Sequence, residues 1–157
     1  MASSVVLDTV DLEILRLLQN DGRITYRDLA AAVRLAPSTC LDRVNRLRRT
    51  GVIRGYTAQL DPAALGIPLQ AFLAVRVGTH HRHQIDSFVN DALALPHTRA
   101  VYLLAGPDDY LVHVTATDVA DLQRAAVEGL TERQDVMSVR TNLIFQAWQG
   151  QPLLPPT

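Results

Sequence analysis

The sequence predicts an α+β chain of two modules, three helices followed by a βαββαβ unit. Three observations carry that reading. Apolar residues recur with a helical period up to about residue 50 and with a strand-like period from Leu69 onward. Between the two lies a breaker-rich stretch, Asp61-Pro62 to Gly66-Ile67-Pro68. Charge divides at the same place: residues 1–60 hold nine Arg against six acids, net +3, and residues 61–157 hold six Arg against ten acids, net −4. The expected division is a first module at 1–60 with a strand following its helices, a linker at 61–68, and a second module at 69–157.

Each element has a local reason. Asp8 precedes Val10, Ile14, Leu17 and Leu18, which share one helical face, and Asp11 completes a capping box; the helix stops near Asn20-Asp21-Gly22. Thr25 with Asp28 starts a second helix that runs through about Val33, and Pro37 opens a third that reaches Thr50 and ends at Gly51. Residues 52–60, VIRGYTAQL, read as extended and supply the following strand, so the module is of the winged type. From Leu69, LQAFLAVRV reads as a strand, and Ile85, Phe88, Val89, Ala92 and Leu93 mark one face of a helix that stops before Pro96. AVYLLA and DYLVHVTA form a hairpin around Gly106-Pro107-Asp108; Asp118 and Asp121 cap a helix through about Leu130; VMSVRTNLIFQAW closes as a long strand. This order is the ferredoxin-like arrangement, an antiparallel sheet with both helices on one face. Its open face, with Phe72, Leu104, Leu143 and Phe145 as candidates, predicts a homodimer through the second module.

Composition removes several classes. With 157 residues, 48% hydrophobic and 20% charged, wholesale disorder is excluded. No apolar run approaches the roughly 18–20 residues of a membrane span, and the start MASSVVLDTVD lacks the pattern of a signal peptide, so a cytoplasmic protein is expected. The single cysteine, Cys40, excludes an internal disulfide and reads as packing volume in the third helix. His80, His81 and His83 form the one histidine cluster, without a carboxylate at metal-site spacing; solvated loop residues are expected there, with no metal and no cofactor. Trp148 reads as interface filling.

A short helix, the tight connection Arg34-Leu35-Ala36 and a second helix have helix-turn-helix spacing, which places the first residues of the second helix in a DNA major groove. Cys40, Leu41, Val44 and Leu47 form its packing face; Ser38, Thr39, Asp42, Arg43, Asn45, Arg46 and Arg49 face out. Short hydroxyls and a forked guanidinium suit base edges, which points to Ser38, Thr39 and Arg43. Arg46, Arg48, Arg49 and Arg54 suit phosphates. All fifteen basic residues are Arg, and eight of them lie between Arg23 and Arg54 against two acids. The alternative reading of this face is a three-helix bundle with solvated arginines.

These residues closely resemble the DNA-binding half of the Lrp/AsnC family of transcription regulators. The resemblance rests on Leu7-Asp8 with Asp11, the Asp21-Gly22-Arg23 turn, Pro37 with Cys40-Leu41, Arg43-Val44, Arg46-Leu47, Gly51-Val52-Ile53, Gly55-Tyr56 and Asp61-Pro62; it continues through AGPDDYLVHV and TNLIF. It implies dimers that assemble to tetramers or octamers, palindromic operator DNA, and regulation by an amino acid or related small molecule. It also implies an effector site at Leu104, Gly106, Pro107, Asp108, Asp109 and Tyr110, with Gly106 admitting a ligand close to the backbone and Asp108 or Asp109 meeting an amino group. Two positions depart from the family pattern: Ala36 stands where a serine commonly caps the recognition helix, and Ala105 and Pro107 remove a hydroxyl and a backbone donor from the effector loop. The competing reading is an enzyme, since tetrapyrrole-processing decarboxylases resemble the same two-part architecture. It would need acid–base groups, for which His113 and Tyr102 are the nearest candidates, and it leaves the arginine face unexplained.

Overall fold

The computed structural model describes residues 5–78, 82–96 and 98–156 and divides the chain into two compact units, residues 1–59 with 149–157, and residues 60–148. In the first unit, α1 (Thr9–Asn20) begins at a reciprocal capping box: the Asp8 carboxylate accepts from the Asp11 backbone N–H at 2.8 Å, and the Asp11 carboxylate accepts from the Asp8 N–H at 3.1 Å. Helix α2 (Tyr26–Ala32) is capped by Thr25, and α3 (Pro37–Arg49) starts at Pro37 with no side-chain cap from Ala36. Between them, Arg34 takes φ 55°, while its N–H and that of Leu35 donate to the carbonyls of Ala31 and Ala30. That pairing is a Schellman turn, in which a left-handed residue is the geometric requirement for closing a helix sharply. The core is Ile14, Leu29, Ala30, Cys40, Val44 and Leu47. Leu41, expected to pack, is exposed, because it sits about 100° around α3 from Cys40 and beyond the reach of α1 and α2.

Two boundaries differ from expectation in this unit. Residues 52–60 contain no strand. A lone extended segment has no neighbouring ladder in its own unit, and Gly51 and Gly55 punctuate its start. Residues 149–157, expected in the second module, belong to the first. Leu153, Leu154 and Pro155 line an apolar groove with Leu7, Leu15, Leu18, Val52, Ile53 and Tyr56. Gln19 grips the segment at both polar groups of one residue: its Oε1 accepts the Leu153 N–H at 2.8 Å, and its Nε2 donates to the Leu153 carbonyl at 3.1 Å.

The second unit runs β1 (Leu69–Val77), α4 (Arg82–Ala94), β2 (Thr98–Leu103), β3 (Tyr110–Ala116), α5 (Val119–Ala126), a π-helical turn (Val127–Thr131) and β4 (Val136–Leu143). The sheet order is β2-β3-β1-β4 with every neighbouring pair antiparallel, the expected ferredoxin-like topology. Period-two patterning places Ala71, Leu73, Val75 and Val77 of β1 and Tyr110, Val112, Val114 and Ala116 of β3 under the helices, against Phe88, Ala92, Leu122 and Leu130. Phe88 stacks on Tyr110 at 4.1 Å. Leu93, expected on the buried face of α4, is exposed.

Strand lengths differ from the sequence reading for a common reason, since a strand lasts only as long as its partner. Strand β4 stops at Leu143 rather than Trp148, because Leu143 already pairs with Ala71 and β1 begins at Leu69. Strand β2 covers 98–103 rather than 100–105, set by its register with β3. The last helix ends at Ala126, and its final turn widens into the π turn, where Thr131 Oγ1 donates to the Ala126 carbonyl at 3.0 Å.

Candidate DNA-facing helix and effector turn

Helix α3 carries three kinds of side chain. Cys40, Val44 and Leu47 are buried on its inner face, and burial pushes the Cys40 thiol pKa up. On the opposite face, Ser38, Asp42 and Arg49 are exposed and Asn45 is partly so; Asp42, Asn45, Arg48 and Arg49 border one shallow depression with Arg54. Thr39 is exposed beside them. The third set faces α1. Arg43 Nη1 donates to Asp8 Oδ2 at 2.6 Å and to Asp11 Oδ1 at 2.9 Å, and Arg46 Nη2 donates to Asp11 Oδ2. The Arg43 guanidinium holds the Asp8 carboxyl below the usual carboxylate range, helped by the Asp11 N–H.

Arg43 and Arg46, expected among the DNA-facing residues, carry ion pairs within their own unit, to the Asp8 cap and to Asp11 of α1. Position 43 borders the buried stripe of the helix, about 70° from its centre, while position 46 lies about 130° away on the same side and reaches Asp11 through its long side chain.

The second feature is the β2–β3 turn. Leu104 N–H donates to the Asp109 carbonyl at 2.8 Å, closing the loop. Asp109 braces it against β1: its N–H donates to the Val75 carbonyl at 2.9 Å, and its carboxylate accepts the Val77 N–H at 2.8 Å. Tyr110, expected to line the effector site, has its side chain in the core against Phe88 and is 1% exposed; burial raises its phenol pKa. Gly106 and Pro107 are exposed at the tip, beside exposed Leu103 and Leu104. Asp108 accepts from Arg140 Nη2 of β4 at 2.5 Å. Arg140 is the residue sequence reasoning missed here, because only the sheet register brings residue 140 to residue 108. Its side chain remains 65% exposed, so the turn and β4 together present a cation and an anion side by side.

His113 shares a contact with Gln70 at 3.2 Å and lies against Phe72 at 4.9 Å; burial and then Arg99 lower its pKa. His80, His81 and the His83 side chain lie outside the described residues. Phe145 and Trp148 are exposed past the end of β4. No helix among the described residues is long and apolar enough to cross a membrane.

Residues 7–54 match the winged helix-turn-helix DNA-binding family, and residues 70–153 match the Lrp/AsnC ligand-binding domain. The chain is 44% identical over 144 residues to the HTH-type transcriptional regulator AldR of Mycolicibacterium smegmatis, covering 92% of this chain and 84% of that one. It is 38% identical to the leucine-responsive regulatory protein of Rhizobium meliloti, covering 93% and 94%. Among solved structures, a transcriptional regulator from Neisseria meningitidis in complex with L-methionine superposes with TM-score 0.86 at 29% identity, over 96% of this chain and 97% of that one. MtbAldR superposes with TM-score 0.78 at 39% identity, over 96% and 100%. These relatives are regulators, and nothing among them supports the decarboxylase alternative.

Proposed function

The chain belongs to the Lrp/AsnC family of helix-turn-helix transcriptional regulators, and from that premise we propose how it reads DNA and what it senses. Helix α3 enters the major groove with Ser38, Thr39, Asp42 and Asn45 toward base edges and Arg49 and Arg54 toward phosphates. The observation that carries this is the outward stripe of α3, which nothing in its own unit covers, flanked by arginines that no carboxylate neutralises in the described hydrogen bonds and ion pairs. The molecule acts as a homodimer, assembling further to a tetramer or octamer, on palindromic operator DNA. Support comes from Phe145 and Trp148, which are 97% and 80% exposed, more apolar aromatic surface than a solitary subunit keeps in water.

The effector is an α-amino acid or a close relative, bound at the tip of the β2–β3 turn. Asp108 and Arg140 match the ammonium and carboxylate of a zwitterion, and exposed Leu104 offers an apolar contact to its side chain. The L-methionine bound by the Neisseria meningitidis relative supports that ligand class. Two measurements test the reading. A gel shift on the DNA upstream of the chain's own gene should show a band that survives random competitor DNA, and its absence refutes specific binding. A thermal-shift screen of the common amino acids should find at least one stabilising ligand whose effect Arg140→Ala abolishes.

A further inference from the structure

Asp11 is the one fully buried charged side chain among the described residues. Both its oxygens are occupied: Oδ1 accepts from Arg43, while Oδ2 accepts from Arg46 and from the Asp8 N–H. Two cations thus converge on one carboxylate, with Asp8 sharing Arg43 at the rim. Stability alone does not call for this arrangement. A buried ion pair is commonly replaceable by apolar residues of similar volume at no loss, because desolvation offsets the attraction. Arg46 Nε is moreover buried without a partner, so the guanidinium is aimed by the carboxylate rather than fully satisfied. What the cluster does determine is direction. It draws the two guanidiniums nearest α1 away from the outward stripe and ties α3 to α1 at two points one turn apart.

We propose that Asp11 is a positioning residue for DNA recognition: by holding Arg43 and Arg46 against α1 it sets the face that α3 presents, and it withholds two guanidiniums from the phosphate backbone. The proposal rests on α3 being the helix that meets DNA. Every arginine that reaches a phosphate adds affinity for all sequences alike, so withholding two of them raises the share of binding that depends on bases.

The test uses the full chain and a duplex of random sequence, with affinity measured by fluorescence anisotropy between about 50 and 200 mM salt. Asp11→Ala releases both guanidiniums. The slope of log K against log salt is expected to steepen by about 0.9 for each that finds a phosphate, with a several-fold gain in low-salt affinity for random DNA. A helix that merely lost support would weaken binding without steepening the slope. A folded Asp11→Ala protein with the wild-type slope overturns the proposal. Should that variant not fold, Arg43→Met and Arg46→Met decide singly: withheld guanidiniums leave the slope unchanged, and a fall of about 0.9 in either variant overturns the proposal by placing that arginine on a phosphate. Arg49→Ala separates the premise. Its slope falls by about 0.9 when α3 faces DNA; an unchanged slope overturns the placement of α3 and the proposal with it, whereas failure in Asp11→Ala alone leaves that placement standing.

Discussion

Arg49 and Arg43 stand six residues apart on one helix and meet opposite surroundings, solvent for the first and two carboxylates for the second. Residue type was legible in the sequence; this difference was not, because it depends on a second helix some thirty positions away in sequence. Gly106 offers a cleaner separation of fold from function. It has no positive φ, and a Cβ built there meets nothing within 4 Å, so the folded chain does not require glycine. Gly106→Val should shift stability by no more than about 0.5 kcal/mol and remove the thermal shift given by a stabilising amino acid; a variant that still responds places ligand approach elsewhere. Acid sensitivity also belongs at this scale. Arg133 grips Asp135 through two contacts of 2.9 Å and holds its carboxyl below the usual range, as Arg43 does for Asp8. A depressed carboxyl contributes stability that is complete above the ordinary carboxylate value of about 4 and is lost as pH falls through the lowered one. The unfolding temperature should therefore be flat in this respect above about pH 5 and fall below about pH 4, with a shallower fall in Asp135→Asn; identical acid profiles would deny the pair that part.

Among the elements, starts were more legible than ends. Asp8, Thr25 and Pro37 announce three helices by local chemistry, and each does its work within four residues of itself. The ends of β2 and β4 were not local, since register with β3 and β1 sets them. The widening of α5 into a π turn left no sequence signal that periodicity detects. Two helix termini remain below their best. Ala36 has the extended backbone of a cap, φ −66° and ψ 144°, with no side-chain oxygen to offer the N–H groups of Ser38 or Thr39. Ala36→Ser should stabilise the chain by about 1 kcal/mol, seen as a higher midpoint in denaturant, and no gain would mean those donors are already satisfied. Arg34 occupies the left-handed region that suits glycine, so Arg34→Gly should also raise the midpoint, by about 0.5 to 1 kcal/mol. A lower midpoint would show that its side chain contributes more than its backbone costs.

For the molecule as a whole, the expected α+β pair of units is present, and the charge split falls between them. If the aromatic surface at Phe145 and Trp148 is covered by a second copy, the full chain sediments as a dimer or larger at micromolar concentration, and Phe145→Asp with Trp148→Asp shifts it toward monomer; a wild-type monomer refutes the assembly. The return of residues 149–157 to the first unit has its own consequence. A stop codon just after Trp148 would spare every helix and strand of the ligand-binding unit, together with Asp108 and Arg140, and would still strip Leu153, Leu154 and Pro155 from Leu7, Leu15, Leu18 and Tyr56. Such an allele would map to the sensing end of the gene, yet its defect would be felt in the DNA-binding unit. For the same reason, a fragment cut at residue 60 is not the whole of that unit, which this gene encodes in two separated pieces.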